Sequence, residues 1–300
     1  MPSWQSYVVH PILRFFVKRK LAKAFTPHEA RAAFDHQPLQ KVPGVTFAAA
    51  GEGEVRGEWA HAQGQADGAM LYMHGGGYFA CSPKTHRPIT GGFALKGFKV
   101  FAPDYRLAPE HPFPAAVEDG LAAYRAMLAA HEPENLVVAG DSAGGGLALA
   151  VVLAAREAGL ALPAGLVLFS PWTDLAGTGP SIQANAARES MLVGSRIREV
   201  AELYLDGAHP QTPLASPLYG DLGGLPPVLL QVSDREILLD DSRRLAEKIR
   251  AAGGRAELSV WRNLPHVWQM SQAFLPEARE ALAQAADFAR STLASQAEAA

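Results

Sequence analysis

One serine in this 300-residue chain stands in a setting that favours nucleophilic chemistry. Ser142 is the centre of a G-x-S-x-G pattern, GDSAG, which follows the apolar run Leu136–Ala139 and precedes an Ala- and Leu-rich helical sequence. A serine on a sharp strand-to-helix turn has a strained backbone, and Gly140 and Gly144 remove the side chains that would collide with it. The amide-rich start of the helix can help stabilise an oxyanion. The pattern predicts an exposed nucleophile; a glycine turn that only packs a helix against a strand is the alternative.

A second glycine-rich turn offers hydrogen-bond donors for the oxygen that becomes negative when an ester carbonyl is attacked. The apolar run Ala69–Met73 leads directly into the HGGG sequence His74–Gly77. Backbone amides in such a loop can approach a ligand without steric hindrance. We therefore expect the amide of Ala143 and one or two amides of the glycine loop to hold the oxyanion together.

A general base and a carboxylate follow later in the chain, in the order Ser…Asp/Glu…His given for α/β-hydrolases. His266 lies in the loop after the predicted strand Ala256–Trp261. There it can take the serine proton and return it to a leaving alcohol. A carboxylate must orient this imidazole, and the loop after the predicted strand Pro227–Ser233 offers two, Asp234 and Glu236. Their spacing does not choose between them.

Composition narrows the function classes. Apolar residues make up 48% of the chain, enough for a large core, and a net charge of −3 gives no reason to expect a nucleic-acid partner. The single cysteine, Cys81, excludes an internal disulfide, and no Cys/His cluster has zinc-ligand spacing. The N-terminal sequence does not resemble a signal peptide, and no apolar run is long enough to span a bilayer. We expect a cytoplasmic protein.

Alternating strands and helices, such as the predicted helix Ala115–Ala130 and the strand Gly165–Ser170, predict a mostly parallel sheet with helices on both faces. The alternation then breaks. A loop and two short predicted helices, Ser181–Ala187 and Ser195–Leu205, are too long for a simple crossover. We interpret residues 176–217 as an insertion over the strand ends. Three of its residues could line a pocket or form its own core: Met191, Leu192 and Tyr204.

Residues 4–25 have apolar positions at helical spacing and a basic opposite face. The apolar positions are Val8, Ile12, Phe15, Phe16 and Leu21. Such a helix could lie on a membrane surface, but the pattern is more typical of a helix that covers apolar surface of its own protein. We expect residues 1–40 and 176–217 to form a cap over a catalytic domain of residues 41–175 and 218–300.

Two further predictions concern charged side chains. In the proline-rich loop after the strand that ends near residue 102, Asp104, Arg106 and Glu110 could form an ion-pair network that braces the glycine loop. Asp240 or Asp241 is predicted to be the N-cap of the helix that contains SRRLAEKIR.

Together these motifs resemble the bacterial hormone-sensitive-lipase-like esterases, family IV of the α/β-hydrolase superfamily. The resemblance rests on four segments between about residues 70 and 270: His74–Gly77, Asp104–Ala115 (DYRLAPEHPFPA), Gly140–Gly145 (GDSAGG) and Glu236–Asp241. It implies an α/β-hydrolase fold with a helical cap, hydrolysis of short acyl esters, and no cofactor. A homodimer paired through edge strands is possible in this family.

The resemblance also implies roles for individual residues. It places oxyanion donors at Gly76, Gly77 and Ala143. The acid in this family commonly heads a D-P-L-x-D stretch, and that register here is EILLD, which begins at Glu236. The resemblance therefore favours Glu236 over Asp234, with Glu in place of the commoner Asp.

The leading prediction is a carboxylesterase that acts on a small-molecule ester through an acyl-enzyme, with the triad Ser142, Glu236 and His266 and no metal. A lactone hydrolase, for example of the monoterpene ε-lactone type, would use the same triad on a cyclic ester, and only the shape of the pocket separates the two. A non-catalytic small-molecule receptor on the same scaffold is the alternative from another class. The presence of His266 disfavours it, because such receptors lack this histidine.

Overall fold

The computed structural model describes residues 1–24, 26–35, 41–50, 55–64 and 66–297. Within these ranges eight strands form one sheet. They are β1 (Val45–Ala50), β2 (Gly57–Ala62), β3 (Gly68–Met73), β4 (Phe98–Pro103), β5 (Leu136–Asp141), β6 (Gly165–Phe169), β7 (Val228–Ser233) and β8 (Ala256–Trp261).

The sheet has the order β1-β2-β4-β3-β5-β6-β7-β8. Strand β2 is antiparallel to both of its neighbours, and all the other pairs are parallel. The predicted, mostly parallel sheet is therefore confirmed. Strand β5 runs two residues beyond its predicted end because Gly140 and Asp141 still pair with Leu168 and Phe169 of β6. The turn at Ser142 thus begins directly at the end of a paired strand.

The helices lie between and around these strands. They are α1 (Trp4–Leu13), α2 (Arg19–Lys23), α3 (Pro27–Asp35), α4 (Arg87–Ala94), α5 (Ala115–Ala130), α6 (Ser142–Glu157), α7 (Ser181–Ala184), α8 (Ile197–Leu205), α9 (Leu239–Ala251) and α10 (Pro276–Ala297). A π-helical turn at Arg14–Lys18 joins α1 to α2. Over the described ranges, no helix combines the length and apolar character needed to cross a bilayer.

Helices cover both faces of the sheet, as predicted. Helices α5, α6 and α9 pack in one apolar cluster, and α4 and α10 pack in a second cluster on the other face. Every residue of β5 is buried, which fits its continuous apolar sequence, because a parallel strand covered on both faces has no solvent-facing side. This two-sided core fixes the strand ends that carry the candidate site.

The N-terminal helix is present, but the predicted orientation of its apolar face is wrong in part. Val8, Ile12, Phe15 and Phe16 are exposed, and the buried apolar side chains of α1 and the π-helical turn are instead Val9 and Val17. The cause lies in the basic residues, which do not simply face water. The side chains of Arg14 and Lys18 donate hydrogen bonds to backbone carbonyls of the insertion, at Ala187 (2.7 Å) and Glu189 (2.8 Å).

The predicted ion-pair network in the proline-rich loop is wrong. Arg106 instead pairs with Asp119 and Glu118 at the start of α5. Glu110 pairs with Arg31 on α3. Helices α5 and α3 thus bring acidic and basic partners to this loop from outside it, which the loop sequence does not reveal.

The predicted N-cap of α9 is also wrong. The helix begins at Leu239, so Asp240 and Asp241 lie in its first turn. Asp241 is buried and accepts hydrogen bonds from the backbone amides of Thr173 (2.8 Å) and Asp174 (2.9 Å). This carboxylate therefore anchors the chain after β6 rather than the start of its own helix.

Candidate active site

Ser142 stands on the strained turn that the sequence predicts. Its backbone φ is +53°, in the left-handed region that non-glycine residues rarely adopt, and α6 begins at this residue. A Cβ on Gly140 would lie 2.3 Å from the carbonyl oxygen of Gly144. A Cβ on Gly144 would lie 2.2 Å from that of Met73. Only glycine fits at both positions, and the predicted role of the two glycines is confirmed.

The imidazole of His266 lies between Ser142 and Glu236. Its Nε2 is 2.9 Å from Oγ of Ser142, and its Nδ1 is 2.6 Å from Oε2 of Glu236. His266 and Glu236 are both buried. The alternative acid, Asp234, accepts a hydrogen bond from the Asn263 amide (2.9 Å) and makes a more exposed pair with Arg188. Of the two candidate carboxylates, Glu236 is therefore the one at the imidazole.

The second oxygen of Glu236 explains how this side chain is held. Oε1 accepts hydrogen bonds from the Ser233 amide (2.7 Å) and from the Ser170 hydroxyl (2.9 Å), which leaves Oε2 for the imidazole. Ser170 directly follows β6 and has a positive φ of 45°. The sequence analysis did not identify Ser170, although a polar residue at the end of an apolar strand was a signal for it.

Burial and the Glu236–His266 hydrogen bond shift the pKa values of these two residues in opposite directions. Burial raises the pKa of the Glu236 carboxyl, and the hydrogen bond with His266 opposes that rise. Burial alone would lower the pKa of His266, but the hydrogen bond and the charge of Glu236 raise it above its ordinary value of 6.5. The carboxylate thus stabilises the imidazolium that forms when the ring accepts a proton.

The glycine loop presents backbone amides next to Ser142. Gly76 and Gly77 have φ values of +122° and +63°, and both line the same cavity as Ser142. Among the described residues, none accepts a hydrogen bond from either amide. Ala143 is the second residue of α6, where backbone amides have no acceptor within the helix. Within the described part of the chain, none of these three amides donates a hydrogen bond to another residue.

Asp141 connects the glycine loop to the nucleophile turn. Its buried carboxylate accepts hydrogen bonds from the Tyr72 hydroxyl (2.6 Å) and the Gly75 amide (3.1 Å), and it lies 3.3 Å from Nε2 of His86. Burial would raise the pKa of Asp141, but its interaction with His86 and its hydrogen bond with Tyr72 lower it. The sequence analysis missed this role, although the position just before Ser142 was a signal for it.

A cavity of about 410 Å³ opens over Ser142 and His266. Its walls are largely apolar side chains from the N-terminal segment and the insertion: Leu13, Val17, Leu21, Met191, Leu192, Ile197, Val200 and Leu203. Met191 and Leu192 thus line the pocket. Tyr204 is buried and stacks on Tyr78, with ring centroids 3.8 Å apart, so it belongs to the core. In the described ranges no group of three His, Cys, Asp or Glu side chains could hold a metal ion.

Comparisons with known proteins agree with this architecture. Residues 70–270 match a family model described as alpha/beta hydrolase fold. An acetyl-hydrolase of Streptomyces hygroscopicus is 45% identical over 240 residues, which cover 79% of this chain and 80% of that protein.

Two crystal structures extend the similarity to nearly the whole chain. One is an esterase from the bacterial hormone-sensitive lipase family, with a TM-score of 0.90, 42% identity, and coverage of 98% of this chain and 99% of the other. The other is EstE5 soaked with p-nitrophenyl butyrate, with a TM-score of 0.90, 38% identity, and coverage of 97% and 99%. The chain therefore belongs to the bacterial hormone-sensitive-lipase-like esterase family of α/β-hydrolases.

Proposed function

We propose that this protein hydrolyses short-chain acyl esters through an acyl-enzyme formed on Ser142. Its family makes it a carboxylic ester hydrolase; the proposal adds the residues, the intermediate and the size of the substrate. The observation that carries the proposal is the continuous chain of contacts from Ser142 Oγ through His266 to Glu236, at 2.9 and 2.6 Å. Serine hydrolases need this connection to make a neutral hydroxyl nucleophilic.

In the first half of the reaction, Oγ of Ser142 attacks the acyl carbonyl carbon while Nε2 of His266 takes the hydroxyl proton. The carbonyl oxygen becomes an oxyanion, which accepts hydrogen bonds from the amides of Gly76, Gly77 and Ala143. The bond to the alkoxy group then breaks, and His266 gives its proton to the leaving alcohol. In the second half, His266 deprotonates a water molecule that attacks the acyl-enzyme, and the carboxylic acid leaves as the serine regains its proton.

The size of the cavity supports a short acyl chain. At about 410 Å³ it lies near the small end of the range of ligand pockets, which is roughly 300–1,000 Å³. Its apolar walls suit an acyl chain without charged groups. The names of the relatives agree with small esters, since one is an acetyl-hydrolase and EstE5 was soaked with p-nitrophenyl butyrate. The proposed cap, residues 1–40 and 176–217, supplies most of these apolar walls.

The test is turnover of p-nitrophenyl esters from acetate to palmitate by the wild type, by Ser142→Ala and by Ser195→Ala. Ser195 is an exposed serine of the insertion and serves as the matched control. We expect Ser142→Ala to lower kcat at least about 10⁴-fold, and Ser195→Ala to stay within about twofold. A Ser142→Ala variant that keeps a tenth of the activity would disprove the nucleophile assignment.

The same assay, with acyl chains of different length and with cyclic esters, tests which substrates the enzyme prefers. The cavity predicts the highest kcat/KM for acetyl to hexanoyl esters, and a preference for palmitoyl esters would contradict the short-chain proposal. Added lactones test the alternative of a lactone hydrolase. The homodimer and the cytoplasmic location expected from the sequence stay predictions.

A further inference from the structure

Large apolar side chains are concentrated on one exposed surface of the molecule. Seven of the ten that are exposed among the described residues lie within residues 1–16, and an eighth, Phe274, packs against that segment. Phe274 belongs to this group because its ring packs edge-on against Trp4, with centroids 6.0 Å apart. The other two, Leu95 and Val260, lie outside it. We call the following residues the outer face: Trp4, Tyr7, Val8, Ile12, Phe15 and Phe16.

The N-terminal helix has two apolar sides. One side packs against the rest of the protein, and the outer face is the other. On the inner side, Val9 and Val17 are buried, and Leu13 and Leu21 line the cavity. A surface helix normally has polar residues opposite its buried stripe, and a helix that is apolar on all sides is normally enclosed. Trp4 is 67% exposed and Phe15 59%. Exposed apolar patches of this kind mark interaction sites.

The charged residues within the segment that carries the outer face are all of one sign. Residues 1–28 contain no Asp or Glu but five Lys or Arg residues, although the whole chain carries a net charge of −3. The side chains of Arg14 and Lys18 are engaged with carbonyls of the insertion. The remaining three are exposed at the C-terminal end of the outer face, and we call them the basic rim: Arg19, Lys20 and Lys23.

We propose that the outer face and the basic rim dock the protein onto the surface of an anionic phospholipid membrane. Trp and Phe side chains beside Lys and Arg are typical of helices that lie in the bilayer interface, where rings enter the headgroup region and cations meet lipid phosphates. The helix would lie parallel to the membrane, with its inner side still on the cavity. The proposal concerns binding alone and does not depend on the ester chemistry.

Charge complementarity favours lipid over a second copy of the chain. A two-fold symmetric contact through the outer face would bring the same surface of both copies together. With the two helices parallel, the basic rims would face each other, and with the helices antiparallel each rim would face the Trp4 end of the other copy. Residues 1–28 supply no acidic partner in either arrangement. An anionic membrane instead supplies the opposite charge along the whole rim.

The first experiment measures co-sedimentation of the full-length protein with vesicles. We expect binding to phosphatidylcholine vesicles that contain about one third phosphatidylglycerol, and weaker binding to pure phosphatidylcholine or at high salt. Phe15→Ser/Phe16→Ser should weaken binding at least about tenfold, because two large apolar side chains are lost from the contact. Leu95→Ser is the matched control, since it removes an equally exposed apolar side chain elsewhere, and it should bind as the wild type does.

Charge reversal provides an independent variant. Lys20→Glu should weaken binding to anionic vesicles severalfold. Arg125→Glu, which reverses an exposed charge on α5, should change it much less. The thermal midpoint and far-UV circular dichroism of every variant establish that it folds.

Trp4 reports the position of the bound helix. Brominated lipids should quench part of the tryptophan fluorescence of the wild type, and Trp4→Phe should remove most of that quenching. Absence of binding to anionic vesicles, or equal binding by Phe15→Ser/Phe16→Ser, would overturn the proposal. Concentration-dependent dimers that these two substitutions abolish, in the absence of vesicle binding, would identify a second copy as the occupant.

Discussion

Replacing Glu236 by Gln tests how the acid controls the imidazole. Oε1 of Glu236 accepts from the Ser233 amide and from the Ser170 hydroxyl, and both donors face it. The oxygen of a glutamine will therefore occupy the Oε1 position, and its NH₂ group will point at Nδ1 of His266. Nδ1 must then accept a hydrogen bond, so the ring proton moves to Nε2. In that tautomer Nε2 cannot accept the proton of Ser142.

The expected loss combines the wrong tautomer with a missing charge. The substitution removes the carboxylate 2.6 Å from Nδ1, which stabilises the imidazolium. A tautomer error of this kind costs about 10⁴ in kcat in the serine-protease triad, and we expect a loss of 10³- to 10⁴-fold. At about 1.4 kcal/mol per factor of ten, this is about 4–5.5 kcal/mol of transition-state stabilisation.

Glu236→Asp keeps the charge but shortens the side chain by one carbon–carbon bond, about 1.5 Å. The carboxylate can then satisfy either its anchoring donors or the imidazole, and not both with good geometry. We expect kcat to fall about 10- to 100-fold, which is the size of effect that follows from a displacement of about 1 Å.

The assay is steady-state hydrolysis of p-nitrophenyl butyrate, with kcat and KM reported separately. Asp234→Asn is the control variant, because Asp234 pairs with Asn263 and Arg188 and not with the imidazole. It should change kcat less than about threefold. The reasoning fails if Glu236→Gln keeps more than a tenth of wild-type kcat, or if Asp234→Asn loses as much.

The remaining predictions concern proton balance and packing. Because Glu236 raises the pKa of His266, kcat/KM should rise with pH through an inflection above 6.5, which Glu236→Gln should move below 6.5; an unmoved inflection in the pH–rate profile would contradict this coupling. Gly144→Ala brings a Cβ to 2.2 and 2.3 Å from two backbone carbonyl oxygens and should lower the free energy of unfolding by about 3 kcal/mol or more in urea titrations. Gly159→Ala meets no atom within 4 Å and should cost only about 1 kcal/mol for its positive φ. Burial raises the pKa of Asp241 from 3.8 to about 7, so the native state binds more protons than the unfolded state between these values. The contribution of Asp241 to the free energy of unfolding is therefore fully present below pH 3.8 and falls as pH rises to about 7, by up to about 1.4 kcal/mol per pH unit. Asp241→Asn should flatten this pH dependence of stability in thermal melts, and an unchanged pH dependence would refute the assignment.

The sequence by itself determined those parts of the structure that depend on residues close together in the chain. Strand β8 has the predicted bounds Ala256–Trp261, since the alternation of apolar and polar residues in AELSVW is a pattern of neighbouring residues. The turn at Ser142 was equally predictable, because strain at a serine requires glycine two positions away on each side. The family motifs are local in the same sense, and they predict the fold without reference to any long-range contact.

Tertiary structure alone decided which charged and apolar groups meet. Glu236 and Asp234 are equivalent in spacing, and only the end of β6, 66 residues earlier, supplies the Ser170 hydroxyl that helps hold Glu236. The orientation of the N-terminal helix was likewise decided by distant carbonyls that bind Arg14 and Lys18. Both choices depend on contacts between segments far apart in the chain, and a periodic pattern contains no information on which of its two faces another segment will cover.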